Sequence, residues 1–213
     1  MCYSAKDSIV AFMIGFVSSS LVLIKAQRSQ NSDLKFLGGI FFFVSFMQLF
    51  DYVFWKHPQY NSQATKLAIL ANHMQPVVLF WLARRYGNLR ADGIAAKLFY
   101  LYTLAAVPYT LNAWKRVQTT EILECSGCPN KQIVKWKWNY QAGAKVVYGL
   151  YLAAIVAMMY ECIQSPVLKW MSILFITLSF LFSTIKYDII ANHGRMWCYF
   201  AAFFPVLLLF VQS

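Results

Sequence analysis

Two ionisable side chains, Asp51 and His73, stand inside apolar stretches of this chain, close to the amides Gln48, Asn72 and Gln75. A carboxylate and an imidazole within reach of one another form an acid/base pair. With the amides added, they form a set of donors and acceptors able to coordinate a small solute, an ion or a proton. Gln48, Asp51, Tyr52 and Trp55 follow i, i+3, i+4, i+7 spacing, so they share one helical face. Asn72, His73, Gln75 and Pro76 are crowded into NHMQP. Pro76 lacks a backbone N–H and frees a carbonyl in the preceding turn.

Both groups lie toward the same end of their apolar runs. At 1.5 Å per residue, Gln48 is about 10 Å and Asp51 about 6 Å from the end near Trp55. Asn72 and His73 come at a similar level, counted from Thr65. Tyr109 (with Pro108 and Asn112), Ser183 (with Lys186 and Asp188), His193 and Arg195 fall at that end too. Polar groups in hydrocarbon are costly and turn toward protein or a wet cavity. The expectation is a cavity open on the N-terminal side, walled by spans two, three, four, six and seven. Its candidate ligand residues are Gln48, Asp51, Asn72, His73, Gln75, Tyr109 and Ser183. The plainer alternative is that these groups bond between helices, at about 0.6 kcal/mol each. His73, Lys186 and Arg195 are the candidate partners of Asp51, and the sequence does not choose among them.

The elements that must position these residues follow from composition. Of 213 residues, 60% are hydrophobic and 13% charged, against roughly 45–50% and about 25% in soluble domains. Seven apolar runs are long enough for membrane helices, roughly 8–24, 36–55, 65–83, 95–111, 146–162, 169–187 and 196–212. None alternates with period two, and helices satisfy their own backbone in lipid. The fold expected is all-α, a single polytopic domain of seven transmembrane helices over residues 1–213. The first run is read as a span, since it is too long for a signal peptide and lacks a basic leader. Short basic connections (Lys25, Arg28, Lys35; Arg84, Arg85, Arg90, Lys97) place the N-terminus outside or lumenal and the C-terminus in the cytoplasm. The net charge of +11 is read as membrane flanking and attraction to anionic lipid, not as nucleic-acid binding.

One connection is long, Asn112–Lys145, and it is rich in aromatics (Trp114, Trp136, Trp138, Tyr140). Its composition argues for a folded cap. It holds Cys125 and Cys128, for which a small disulfide is the plainest reading on an oxidising side. Redox and metal roles stay open there, though no second CxxC supplies a four-ligand zinc set. Elsewhere the sequence holds no complete metal-ligand set, the cofactor stays unknown, and metal dependence stays open for a hydrolase built on Asp51 and His73.

Three fragments together carry a resemblance: MCYSAKDS at the start, MQLFDYVFW in the second span, and Asn61-x3-Thr65 followed by Gln75-Pro76. They resemble an uncharacterised family of small multi-pass membrane proteins in large DNA viruses of algae and protists, with bacterial relatives. Its members open with MCWS-like residues and carry MQ-x2-E-x3-W. Here Gln48, Asp51 and Trp55 fill those places, with Asp for Glu. The resemblance covers about the first 80 residues and implies no activity, but it singles out Gln48, Asp51 and Gln75. Seven-span hydrolases related to alkaline ceramidases are a weaker comparison. Their HxxxH pair is missing, because Trp197 stands four residues after His193.

Two function classes follow. The first is a channel, carrier or receptor-like protein that binds or passes a small solute, ion or proton. The second is a membrane-embedded, lipid-directed enzyme using Asp51 and His73. The partners implied are the bilayer and a small solute, ion or lipid, and self-association into a homo-oligomer stays open.

Overall fold

The computed structural model describes residues 4–87, 89–124, 132–187 and 199–211, with backbone alone at 123–124, 132–133 and 183–187. Seven helices fall within them: α1 (Ala5–Arg28), α2 (Ser32–Lys56), α3 (Asn61–Tyr86), α4 (Ile94–Arg116), α5 (Ala144–Cys162), α6 (Pro166–Tyr187) and α7 (Phe204–Phe210). Helices α1 to α5 are long and apolar enough to cross a membrane. The chain is therefore all-α and, by composition, a multi-pass membrane protein. Over the described residues the last two helical stretches are apolar but shorter.

Helix ends follow their capping residues rather than the apolar runs. The Ser4 hydroxyl accepts from the Asp7 N–H at 3.1 Å and starts α1, and the Asn31 side chain accepts from the Leu34 N–H at 3.0 Å and starts α2. Helix α4 continues through Asn112 to Arg116, so the long connection is narrower than 112–145. The seventh run is helical at residues 199–201, turns at 202–203 and resumes as α7 with Pro205 in its first turn; the expected start at 196 lies outside the described residues. Proline is favoured there and breaks a helix interior, and the backbone just before it closes i→i+3 bonds (Phe203 N–H to Phe200 O, 3.0 Å).

Packing is inverted relative to a water-soluble bundle. The buried face of α1 is small or hydroxylated: Ser8, Ala11, Gly15, Ser18, Ser19 and Ala26, with Val22. Its outer stripe (Val10, Met13, Val17, Leu21, Ile24) is about half exposed. In lipid the large side chains lose nothing by facing outward, and small ones let backbones approach. Gly15 shows how close the approach is: a Cβ there would lie 3.0 Å from Ser45 Cβ and 3.1 Å from Ala202 Cα. Helix α1 packs on α2 and α7, α2 on α3, and α5 on α3, α4 and α6.

At one end of the bundle, called here the far face, charges sit on helix poles. Asp33, buried, accepts from the backbone N–H groups of Gln164 (3.0 Å) and Ser165 (2.8 Å) at the start of α6. Glu161 accepts from Ala95 N–H at 3.1 Å, at the start of α4. Lys25 donates to the carbonyls of Leu209 (3.0 Å) and Val211 (2.5 Å) at the end of α7. Each sign matches the helix dipole it meets. Lys25, which reads in sequence as a topological charge, thus also ties α1 to α7.

Gly15→Leu is expected to cost about 1–3 kcal/mol by overpacking a junction where backbone is the near neighbour. Asp33→Ala is expected to cost about 0.5–2 kcal/mol through the lost cap of α6. Melting of the purified variants in detergent, followed by size exclusion, reads both effects.

Candidate functional site

The opposite end, the cap face, carries the connection between α4 and α5. Strands β1 (Glu121–Glu124) and β2 (Gln132–Lys135) pair antiparallel, with Ile122 opposite Val134. A single 3-10 turn, Lys137–Tyr140, follows. The folded cap expected from its aromatics is present, though built around a strand pair that the helical reading did not anticipate. An ion pair from Lys137 to Glu121 at 2.5 Å ties the turn back to β1.

Two clamps fix the cap to the bundle. Asn61, the first residue of α3, donates its side-chain amide to Thr120 O (2.9 Å) and accepts from Thr120 N–H (2.8 Å). Thr65, one turn on, donates to Asn61 Oδ1 (3.0 Å) and meets the Thr120 hydroxyl at 2.9 Å. The Asn-x3-Thr spacing therefore serves as a backbone-like clamp on the chain entering β1. At the other end, Asn112 of α4 donates to Gln141 Oε1 at 2.8 Å.

Between the clamps the cap drives Trp136, Trp138 and Asn139 into the bundle, each 0% exposed. The two indoles stack with centroids 5.0 Å apart. The Trp136 indole N–H donates to Asp51 Oδ1 at 2.9 Å. Tyr109 of α4 donates to the Trp138 carbonyl. Tyr148 of α5 donates to Asn139 Oδ1 and accepts from the Asn72 amide of α3 at 2.8 Å. Three helices besides α3 thus hold the plug, through separate bonds from Asp51, Tyr109 and Tyr148, the last of which links on to α3.

His73 sits beneath it, 4% exposed. Its ring is edge-on to Tyr109, centroids 5.4 Å apart, and 6.1 Å from the Tyr148 ring. Neither ring nitrogen meets hydrogen-bond geometry with a described residue. Asp51 and His73 are therefore not hydrogen-bonded to each other. One turn below, Tyr102 donates to His73 O at 2.8 Å, beside the turn loosened by Pro76. Tyr151 donates to Gln75 Oε1.

The sequence-derived residues fall out as follows. Gln48, Asp51, Asn72, His73 and Gln75 are all buried at this end, and Tyr109 joins them. Asp51 and Gln75 are engaged by the cap and by Tyr151, while Asn72 and His73 belong to one cluster. The cluster does not open to the cap face as a vestibule within the described residues, because Trp136 and Trp138 fill that position. The fifth span, left out of the expected wall, supplies Tyr148 and Tyr151. Their i, i+3 spacing, like the i, i+7 spacing of Tyr102 and Tyr109, was the available signal. The Ser183 side chain and residues Cys125, Cys128, His193 and Arg195 lie outside what is described.

Five buried polar atoms in this cluster have no hydrogen-bond partner among the described residues: Asn72 Oδ1, both His73 ring nitrogens, Trp138 Nε1 and Asn139 Nδ2. With a neutral imidazole they offer three donors and two acceptors. Buried groups left so cost about 1–3 kcal/mol each, so their gathering at this end calls for an explanation. Among the described residues no three of His, Cys, Asp and Glu gather as a metal site.

The Trp136–Asp51 bond is expected to be strongly coupled. In a double-mutant cycle of Trp136→Phe and Asp51→Asn, melting should give an interaction energy of about 0.5–3 kcal/mol. A value near zero would mean that the two groups are independent.

No protein-family model matches this chain, and neither does any curated protein or solved structure.

Proposed function

We propose that the protein is a membrane-embedded binding protein, carrier- or receptor-like, that holds a small hydrogen-bonding molecule beneath its tryptophan cap. The observation that carries this reading is the group of five buried polar atoms on Asn72, His73, Trp138 and Asn139. Their three donors and two acceptors suit an uncharged guest, since no Lys or Arg bonds into the cluster among the described residues. Trp136 and Trp138 argue against a standing open pore, because both indoles fill the cap end. In this reading Asp51 is the latch of the cap and not a ligand. The indole N–H meets its carboxylate only when the cap is seated.

The cap-face end is read as the outer or lumenal side, on the basic residues of the α1–α2 and α3–α4 connections. Asp51 and His73 are not hydrogen-bonded to each other, so their geometry lends the acid/base enzyme reading no support.

The test is ligand-induced stabilisation in nanodiscs, with acetamide, urea, glycerol and imidazole as probes. At least one should raise the melting temperature with saturation, and Asn72→Leu should abolish that rise. A different pattern would overturn the reading: no probe stabilises the protein, and Asn72→Leu by itself raises the melting temperature. That result would mark the orphan atoms as tolerated defects, since apolar replacement of unmet polar groups is neutral or favourable.

A further inference from the structure

A groove of about 210 Å³ runs between α3 and α4 and reaches His73 from the side of the bundle. Its walls are Leu70 and Val77 from α3, and Tyr102, Ala106 and Leu111 from α4. Leu70 and Leu111 are about half exposed, as is Val107 on the same rim, so the mouth opens on the surface that faces lipid rather than on the cap. No charged side chain lines it. His73, 4% exposed and with neither ring nitrogen in hydrogen-bond geometry with a described residue, is among its lining residues. The groove therefore differs from a purely apolar cleft between helices in having a buried, polar residue in its wall.

Depth limits the occupant. His73 comes eight residues after Thr65, where the apolar run of α3 begins, which is about 12 Å along the axis at 1.5 Å per residue. A phospholipid headgroup stays at the interface, and a charged group brought to this depth would be heavily penalised. An uncharged hydroxyl or carbonyl can reach it. A neutral imidazole accepts from the first or donates to the second.

Resting on the reading that His73 belongs to a ligand site, we infer that the guest is an uncharged, lipid-soluble amphiphile. It enters sideways from the bilayer between α3 and α4, placing a hydroxyl or carbonyl oxygen at His73 and its apolar chain along Leu70, Val77 and Leu111. Fatty alcohols and alkyl quinones share this chemistry. The cap then closes the aqueous side while the α3/α4 side exchanges with lipid.

The experiment is photolabelling of the full chain in nanodiscs with a diazirine-bearing long-chain alcohol, mapped by peptide mass spectrometry. Competitors are 1-decanol, a decyl-substituted quinone, n-decane and decanoate. Labelling is expected on the peptides spanning residues 70–77 and 102–111. The alcohol or the quinone should displace it at least tenfold better than decane. His73→Leu should shrink that preference to within twofold. Val107→Trp, placed on the lipid-facing rim where folding is least at risk, should block labelling by bulk alone. Equal displacement by decane would show ordinary lipid contact without head recognition and would overturn the inference. So would an unchanged preference in His73→Leu, or decanoate as the best competitor. A failure here leaves the response to acetamide, urea, glycerol and imidazole untouched, so it is distinguishable from failure of the binding reading itself.

Discussion

A carboxylate buried in an apolar bundle has to be met by a donor, and at the cap face Asp51 is met by the indole of Trp136 at 2.9 Å. Much of this end follows from that contact. To deliver an indole N–H to α2, the connection between α4 and α5 must fold inward. Doing so buries Trp136, Trp138 and Asn139 completely. The backbone and side-chain groups carried in with them then need partners of their own. Tyr109 and Tyr148 supply two, and through Tyr148 the chain of bonds reaches Asn72 on α3. A charge–donor bond in low-dielectric surroundings is stronger than its counterpart in water, and leaving one end unmet costs correspondingly more. The cap is therefore part of the bundle's interior rather than a loop laid over it.

The two ends of the molecule use polar groups differently. At the far face, Asp33, Glu161 and Lys25 each sit on the pole of a neighbouring helix, and their bonds are accounted for. At the cap face the clamps Asn61–Thr120 and Asn112–Gln141 are just as well satisfied. Inside them is the group of atoms that the protein does not satisfy from its own described residues. Asn72, His73, Trp138 and Asn139 together hold five such atoms, while Ser19, Trp55 and Ser172 hold one each.

Much of this was legible in the sequence, for identifiable reasons. Apolar length exposes a membrane helix because the bilayer has a thickness, so the first six runs map onto helices within a few residues and the seventh is helical over residues 199–201 and 204–210. Depth along those runs brought Gln48, Asp51, Asn72, His73 and Gln75 to one end, where the structure also has them. Aromatic content marked the 112–145 connection as ordered. What was not legible was partnership. Nothing in a one-dimensional string says that Asp51 turns to an indole 85 residues away rather than to His73. The role of α5 was missed because tyrosine near a span end reads as an interface anchor, whereas Tyr148 and Tyr151 turn inward. The break at residues 202–203 was missed because Pro205 was counted within an apolar run instead of as a helix start.

The central claim is that the Trp136–Asn139 segment is held inside the bundle by Asp51 and is not a surface loop. Hydrogen–deuterium exchange of the peptide covering residues 134–142, compared between the unmodified protein and Asp51→Leu in the same nanodiscs, tests it most directly. The account predicts slow exchange in the unmodified protein, like that of the neighbouring helix ends, and a rise of at least tenfold in the variant with the far-face peptides unchanged. Fast exchange of this segment in the unmodified protein, or slow exchange that Asp51→Leu does not alter, would contradict it.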